Sequence, residues 1–342
     1  MILSFTSWNM NINAAPEHPP MDRYSVTENY REPPLSMQKY NRFDYRVQKR
    51  RHCTKRQKRK RPQNKDKYRC DMNNDENKDC GLSMADKGGR VINGRVVKPL
   101  YKYPFIVPIF KSDKMVCGGA VISKTFILTA AHCVFDRENL SHARCRRKKV
   151  PKTCYHQADQ FSIKLLGKKK FGKSIRVKRI IPHSKFYFSK KVYDIALLEL
   201  EEPLKCTGKT SPICLPTKEM YKNGQKLFVA GWGRTKPEPG SEGTRLLREG
   251  VMKEVEAKKC MKPSLPKKTI HQYHCAVGTN QSSCKGDSGS SNFIKSKGKF
   301  YTLGITSHGK SHPCDPARPV TFTKVIYFEK WIKKHAKDVP KP

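Results

Sequence analysis

The chain has 342 residues, 36% of them hydrophobic, which is enough for one or two domains with a packed core. No run of 18 or more apolar residues occurs, so no transmembrane helix is expected. The net charge is +42. Residues 1–90 hold 20 Lys/Arg against 11 Asp/Glu, and the remaining 51 against 18 leave +33 on the rest of the chain. A field of that sign draws in polyanions, such as heparin-like glycans or anionic membranes. No recognition motif accompanies the charge, so no specific nucleic acid is expected.

In chain order, the opening MILSFTSW lacks a basic flank and has a short apolar core, so it makes a poor signal peptide. That is a gap and not a sign of a cytosolic protein. Residues 1–90 are rich in Pro, Asn, Lys and Arg without apolar periodicity and read as a disordered, basic pro-segment. Between Arg46 and Arg69 stand 13 basic residues and one acid, Asp66. In a disulfide-rich exported chain this run offers processing sites or an anchor for anionic surfaces.

From residue 91 short β-rich runs alternate with turns: FIVPIF, MVCGGAVIS, FILTAA, QFSIKLLG, DIALLEL, KLFVAGWG, FYTLGIT and PVTFTKV. Many short strands of this kind predict an all-β sandwich or barrel. The basic stretch Asn139–Lys152 reads as a surface insertion, with His142 and His156 as solvated loop residues. The stretch after Gly167, KKKFGKSIRVKR, carries no carboxylate, so no structural calcium is expected there. Asn139 and Asn280 begin Asn-X-Ser acceptors, which makes a secreted form a candidate glycoprotein.

Thirteen cysteines argue for an oxidising compartment and a secreted, extracellular protein. There is no CxxC pair and no HExxH motif, so no metal site is expected. Cys145 and Cys154 fall in the insertion and are placed to close it. Cys53, Cys70 and Cys206 have no assigned partner.

Three segments carry chemistry: LTAAHC ending at Cys133, DIALLEL from Asp194, and CKGDSGS over Cys284–Ser290. They supply a histidine, an aspartate and a serine in that order. A serine hydroxyl is a weak nucleophile at neutral pH unless an imidazole takes its proton and a carboxylate fixes the imidazole tautomer. Together with Arg90 before Val91-Ile92-Asn93-Gly94, VAGWGRT at 229–235, Ser307-His308-Gly309 and VIYFEKWIKKHAK from Val325, these segments resemble the chymotrypsin/trypsin family of serine proteases (S1 peptidases) over roughly 91–337.

The resemblance implies two six-stranded antiparallel β-barrels of the chymotrypsin type, about 91–206 and about 219–325, and a C-terminal helix at about 325–337. All lie within a protease domain at 91–342. It implies Ser288 as nucleophile, His132 as general base and acid, Asp194 as its orienting carboxylate, and Ser307 as a hydrogen-bond donor to that carboxylate. The backbone N–H groups of Gly286 and Ser288 would form the oxyanion hole. Asp287 would pair with the α-amino group of Val91, released by a trypsin-like activating protease after Arg90. Disulfides Cys117–Cys133, Cys260–Cys275, Cys284–Cys314 and Cys80–Cys214 are implied, the last holding the pro-segment. No cofactor is implied. Protein or peptide substrates and a serpin-type inhibitor are.

Ser282 falls at the pocket base, where trypsin-type enzymes carry Asp. Gly309 keeps one wall open and Val320 narrows the other. The expected preference is for medium apolar residues such as Leu, Met or Val, as in chymotrypsin- or elastase-like enzymes. The chain departs from the family in GDSGSS, where Ser290 and Ser291 replace Gly and Pro, and in His308, which replaces Trp. The alternative reading is therefore a catalytically silent homologue that binds polyanions.

Overall fold

The computed structural model describes residues 80–83, 95–234, 244, 246–261, 263, 265–278, 280–309 and 315–341. Arg90, Val91, Cys53, Cys70 and Cys314 lie outside these residues. After a short strand β1 (Arg95–Val96), six strands close on themselves: β2 (Ile106–Lys111), β3 (Lys114–Val121), β4 (Phe126–Thr129), β5 (Phe161–Leu166), β6 (Phe171–Pro182) and β7 (Ala196–Leu200). Their order is β2-β3-β4-β7-β6-β5, all antiparallel, with β2 also paired to β5.

Six more strands follow: β8 (Lys226–Gly231), β9 (Arg248–Val255), β10 (Tyr273–Gly278), β11 (Ser291–Ser296), β12 (Lys299–Gly309) and β13 (Val320–Lys324). Their order β9-β10-β13-β12-β11-β8 is closed by the β8–β9 pair, and β1 is added at β9. The last elements are a 3-10 turn at Val325–Phe328 running into α1 (Glu329–His335). Among the described residues no helix is long and apolar enough to cross a membrane.

Side-chain alternation explains why these stretches close into barrels. In β6 Ile175 and Val177 point into the core while Lys173, Ser174, Arg176 and Lys178 face out. Most of the stretch read above for its lack of calcium ligands, from Phe171 on, is thus a barrel strand. Arg176 and Lys178 are held outside by the period-2 pleat, and Arg179 is turned out by the bulge after Val177. Lys173, Arg176, Lys178 and Arg179 are ion-paired to Glu199, Glu201 and Glu202. Closure removes exposed sheet edges.

The two barrels meet over an aromatic cluster. Phe105 packs edge-on against Phe293 with centroids 5.1 Å apart, and Tyr103 lies 4.9 Å from the same ring. Beside it the buried Glu249 of β9 accepts hydrogen bonds from Lys102 Nζ (2.8 and 3.0 Å) and from Tyr103 Oη (2.5 Å). Disulfides join Cys80–Cys214, Cys117–Cys133, Cys145–Cys154 and Cys260–Cys275. Cys206 and Cys284 are also disulfide-bonded, to partners outside the described residues.

Candidate active site

Four elements of the two barrels supply the site. His132 sits in a single 3-10 turn (Ala131–Cys133) that follows β4, and its neighbour Cys133 is tied to Cys117 of β3. Asp194 lies just before β7, and its backbone carbonyl accepts a hydrogen bond from Thr323 Oγ1 of β13. Both side chains are buried, at 5% and 1% exposure for the residues. His132 Nδ1 donates to Asp194 Oδ2 at 2.8 Å, and the His132 backbone N–H donates to Oδ1 at 2.9 Å. Ser307 Oγ, from β12, donates to Oδ2 at 2.5 Å. With Nδ1 committed as donor, the neutral ring presents Nε2 as the acceptor.

These contacts explain the electrostatics. Burial pushes the Asp194 carboxyl upward, but the charge and hydrogen bond of His132, the charge of Lys191 and the hydrogen bond from Ser307 together hold it well below the usual carboxylate range. Burial lowers the His132 imidazole from its ordinary 6.5. Asp194 opposes that shift, while Lys191 and Arg137 reinforce it.

Ser288 lies in the turn between Cys284 and β11, and its carbonyl accepts a hydrogen bond from Gly118 N at 2.8 Å. It lines a cavity of about 200 Å³ together with Ser282, Ser307, Gly309 and Val320. The structure thus brings Ser307, the hydrogen-bond partner of Asp194, and Ser288 to one pocket. No hydrogen bond links Ser288 Oγ to His132 Nε2 here. Such bonds are commonly long in unliganded sites and tighten around a substrate. Gly286 takes φ +106°, which side chains disfavour, so its N–H is free to point where a β-carbon would forbid it.

The Asp287 carboxylate accepts from Gly233 N at 2.7 Å and from Cys284 N at 2.8 Å. No cation among the described residues pairs with it. Burial pushes it up, against those two backbone bonds.

Several functional residues are missing from the sequence reading. A β-carbon on Gly231 or Gly233 would stand 2.1 or 2.3 Å from the Asp287 carboxylate oxygens. The two glycines of VAGWGRT therefore form the wall that lets Asp287 enter. The signal was present, as a Gly-X-Gly pair at the end of a strand. Gly118 does the same for Ser290, whose Oγ would lie 2.0 Å from a β-carbon there. The cavity's own carboxylate, Asp315, is partly exposed and stands 3.3 Å from Arg318 Nε, a second charged residue of the lining.

His156 is not a solvated loop residue. It is half-buried, with Lys111 Nζ 3.1 Å from its Nε2 and Asp136 3.9 Å from its Nδ1, because the loop folds back onto β2. Asn139 is also engaged, its amide donating to Asp136 Oδ2 and Thr153 O. Among the described residues one group has metal-like clustering, His132 with Cys117 and Cys133. Both sulfurs are bonded to each other and offer no thiolate.

Two closed six-stranded antiparallel barrels with a buried histidine–aspartate pair beside a serine-bearing pocket define the chymotrypsin class of folds. The family model of trypsin matches residues 91–332, and the chain belongs to the trypsin family of serine proteases.

Proposed function

We propose that the protein is a secreted serine endopeptidase, made as a zymogen and activated by cleavage after Arg90. The observation that carries this reading is the buried chain Ser307–Asp194–His132, with both hydrogen bonds at 2.8 Å or less, leading to the pocket that holds Ser288. In the reaction Ser288 Oγ attacks the scissile carbonyl while His132 Nε2 takes its proton. The oxyanion is met by the N–H groups of Gly286 and Ser288. His132 then gives the proton to the leaving amine, and water repeats the sequence on the acyl-enzyme. Asp194 holds the imidazole in the tautomer that does this and stabilises its cation.

The neutral Ser282, the bulk of Val320 and a cavity of about 200 Å³ favour medium apolar residues before the scissile bond. A protease of that preference does not cut after Arg90, so activation falls to a separate trypsin-like protease. The new Val91 amine would then supply the cation that Asp287 lacks among the described residues. The disulfides suit an extracellular setting, where a serpin-type inhibitor fits as a regulator. Labelling with a fluorophosphonate probe tests the reading. Label should appear after trypsin cleavage at Arg90 and vanish in Ser288→Ala. No label on a chain with a verified Val91 N-terminus would reject it.

The second reading, a silent homologue that holds heparin-like polyanions, is favoured by the +33 charge of residues 91–342 and by the departures at Ser290, Ser291 and His308. Elution from heparin resin at or below physiological salt would remove the polyanion part of it.

A further inference from the structure

Few of the exposed cations are ion-paired. On β6 several face glutamates at contact distance, but Lys168, Lys169 and Lys170 just before it have no ion pair among the described residues. The insertion after His132 differs in how densely its cations are set. Arg144, Arg146, Arg147, Lys148, Lys149 and Lys152 are all exposed, and none forms an ion pair with any described residue. Six like charges within nine residues repel one another, so a loop of this kind needs a tether to stay compact.

The tether is present. Cys145 and Cys154, both buried, close the loop with Cα atoms 5.7 Å apart. Asp136 N donates to Cys154 O at 3.0 Å, His156 N to Val134 O at 3.0 Å, and Asn139 Nδ2 to Thr153 O at 3.3 Å. Phe135 and Tyr155 pair across the neck with rings 5.7 Å apart. Both ends of the loop are thus fastened to the segment that directly follows the His132 turn.

The cationic surface continues toward His132. Phe135 stacks on Phe188 at 4.7 Å and 24°. The Phe188 ring carries Lys191 Nζ at 3.7 Å and the Arg137 guanidinium at 6.0 Å. Lys191 stands three residues before Asp194, and Arg137 five after His132.

We propose that this disulfide-closed loop, with Arg137 and Lys191, is a docking strip for an acidic segment of the polypeptide substrate. The inference rests on the protease reading and adds the substrate class to it. Its position is the reason to favour a polypeptide over a glycan. The strip begins at the histidine side of the cleft, so a chain held there carries its flanking residues onto it as an intramolecular event. A glycan gains nothing from that neighbourhood. Cations pre-positioned by the disulfide and the aromatic neck lose less freedom on binding than the same side chains on a mobile loop.

The test uses the cleaved protein and quenched peptides with one apolar cleavage core, extended on either side by glutamates or by serines. Electrostatic attraction of this kind should raise kcat/KM for one glutamate-extended peptide about tenfold over its serine counterpart, mainly through KM. The advantage should vanish in about 1 M salt, where the Debye length is about 3 Å. In a variant with all six loop cations and Arg137 changed to Ser, the glutamate-to-serine ratio should fall most of the way to one. A ratio near one in the unaltered protein overturns the proposal. So does a ratio that the variant retains. If no peptide is cleaved, the protease reading fails separately, and anisotropy of the labelled glutamate peptide on Ser288→Ala decides the strip. Affinity lost in the same Ser-substituted background supports it, and equal affinity overturns it. Loop-dependent binding of a heparin oligosaccharide without any glutamate effect also overturns it, in favour of a glycan surface.

Discussion

Protonation of His132 is where a single residue governs the proposed chemistry. Only the neutral imidazole accepts the Ser288 proton, and burial, Lys191 and Arg137 all disfavour the cation against the pull of Asp194. The folded-state value lies below 6.5, so the base stays competent as pH falls through that point. The acid limb of kcat/KM should therefore lie below pH 6.5, read from a pH profile on an uncharged peptide. Lys191→Gln removes one positive neighbour and should move the limb upward. A downward move would contradict the assignment. Two small residues make a second pair of tests. Gly233→Ala sets a methyl against the Asp287 carboxylate, and overpacking of this sort costs about 1–3 kcal/mol. It should lower the melting temperature and displace Asp287, with loss of fluorophosphonate labelling. Ser290→Ala works in the opposite direction. The Ser290 Oγ is buried without a hydrogen-bond partner among the described residues, and relieving such a group should gain about 1 kcal/mol in thermal denaturation.

At the scale of elements, β9 and β10 of the second barrel share a buried polar knot. Glu254 of β9 accepts from Gln225 Nε2 and from Lys222 N, and His274 Nδ1 of β10 stands 3.3 Å away. Burial alone would raise the Glu254 carboxyl. The hydrogen bond and charge of His274 and the bonds from Gln225 and Lys222 outweigh it, and the value falls below 4.5. A depressed acid adds stability that is complete above its unfolded value and is lost as pH drops through the folded one. Unfolding free energy should therefore decline below about pH 4.5, and Glu254→Gln should flatten that decline while costing stability at neutral pH. Urea titrations between pH 3 and pH 7 measure both. An unchanged acid slope in the variant would move the effect to other carboxylates.

Across the whole molecule, the proposed cleavage after Arg90 would couple to stability through Asp287. Its carboxyl is pushed up by burial, so the anion is penalised in the fold and stability falls as pH rises above the ordinary 3.8. A new amine at Val91 would remove that penalty. The cleaved protein should melt higher than the uncleaved one at pH 7, with the gap closing toward pH 4. In Asp287→Asn the gain should disappear. Calorimetry of both forms decides it. Equal melting temperatures at pH 7 would mean that the amine does not reach Asp287.

The sequence by itself determined the fold class and marked the candidate chemistry-bearing residues. LTAAHC, DIALLEL and CKGDSGS are local patterns, and the pleat repeats every two residues, so His132, Asp194, Ser288 and most strands are legible one segment at a time. A cation-rich strand such as β6 is harder to read, because only Ile175 and Val177 mark its inner face. What only the tertiary structure decided are relations between distant segments. Gly231 and Gly233 matter because Asp287, more than fifty residues later, enters the space they leave. Gly118 offsets Ser290 across the barrel interface in the same way. Arg318 stands beside Asp315 in the pocket lining, and His156, from a loop, packs against Lys111 of β2. The loop cations gain a shared position only once the Cys145–Cys154 bridge holds them beside the His132 turn. Charge compensation and steric fit depend on distances through space, and those are set when the barrels close.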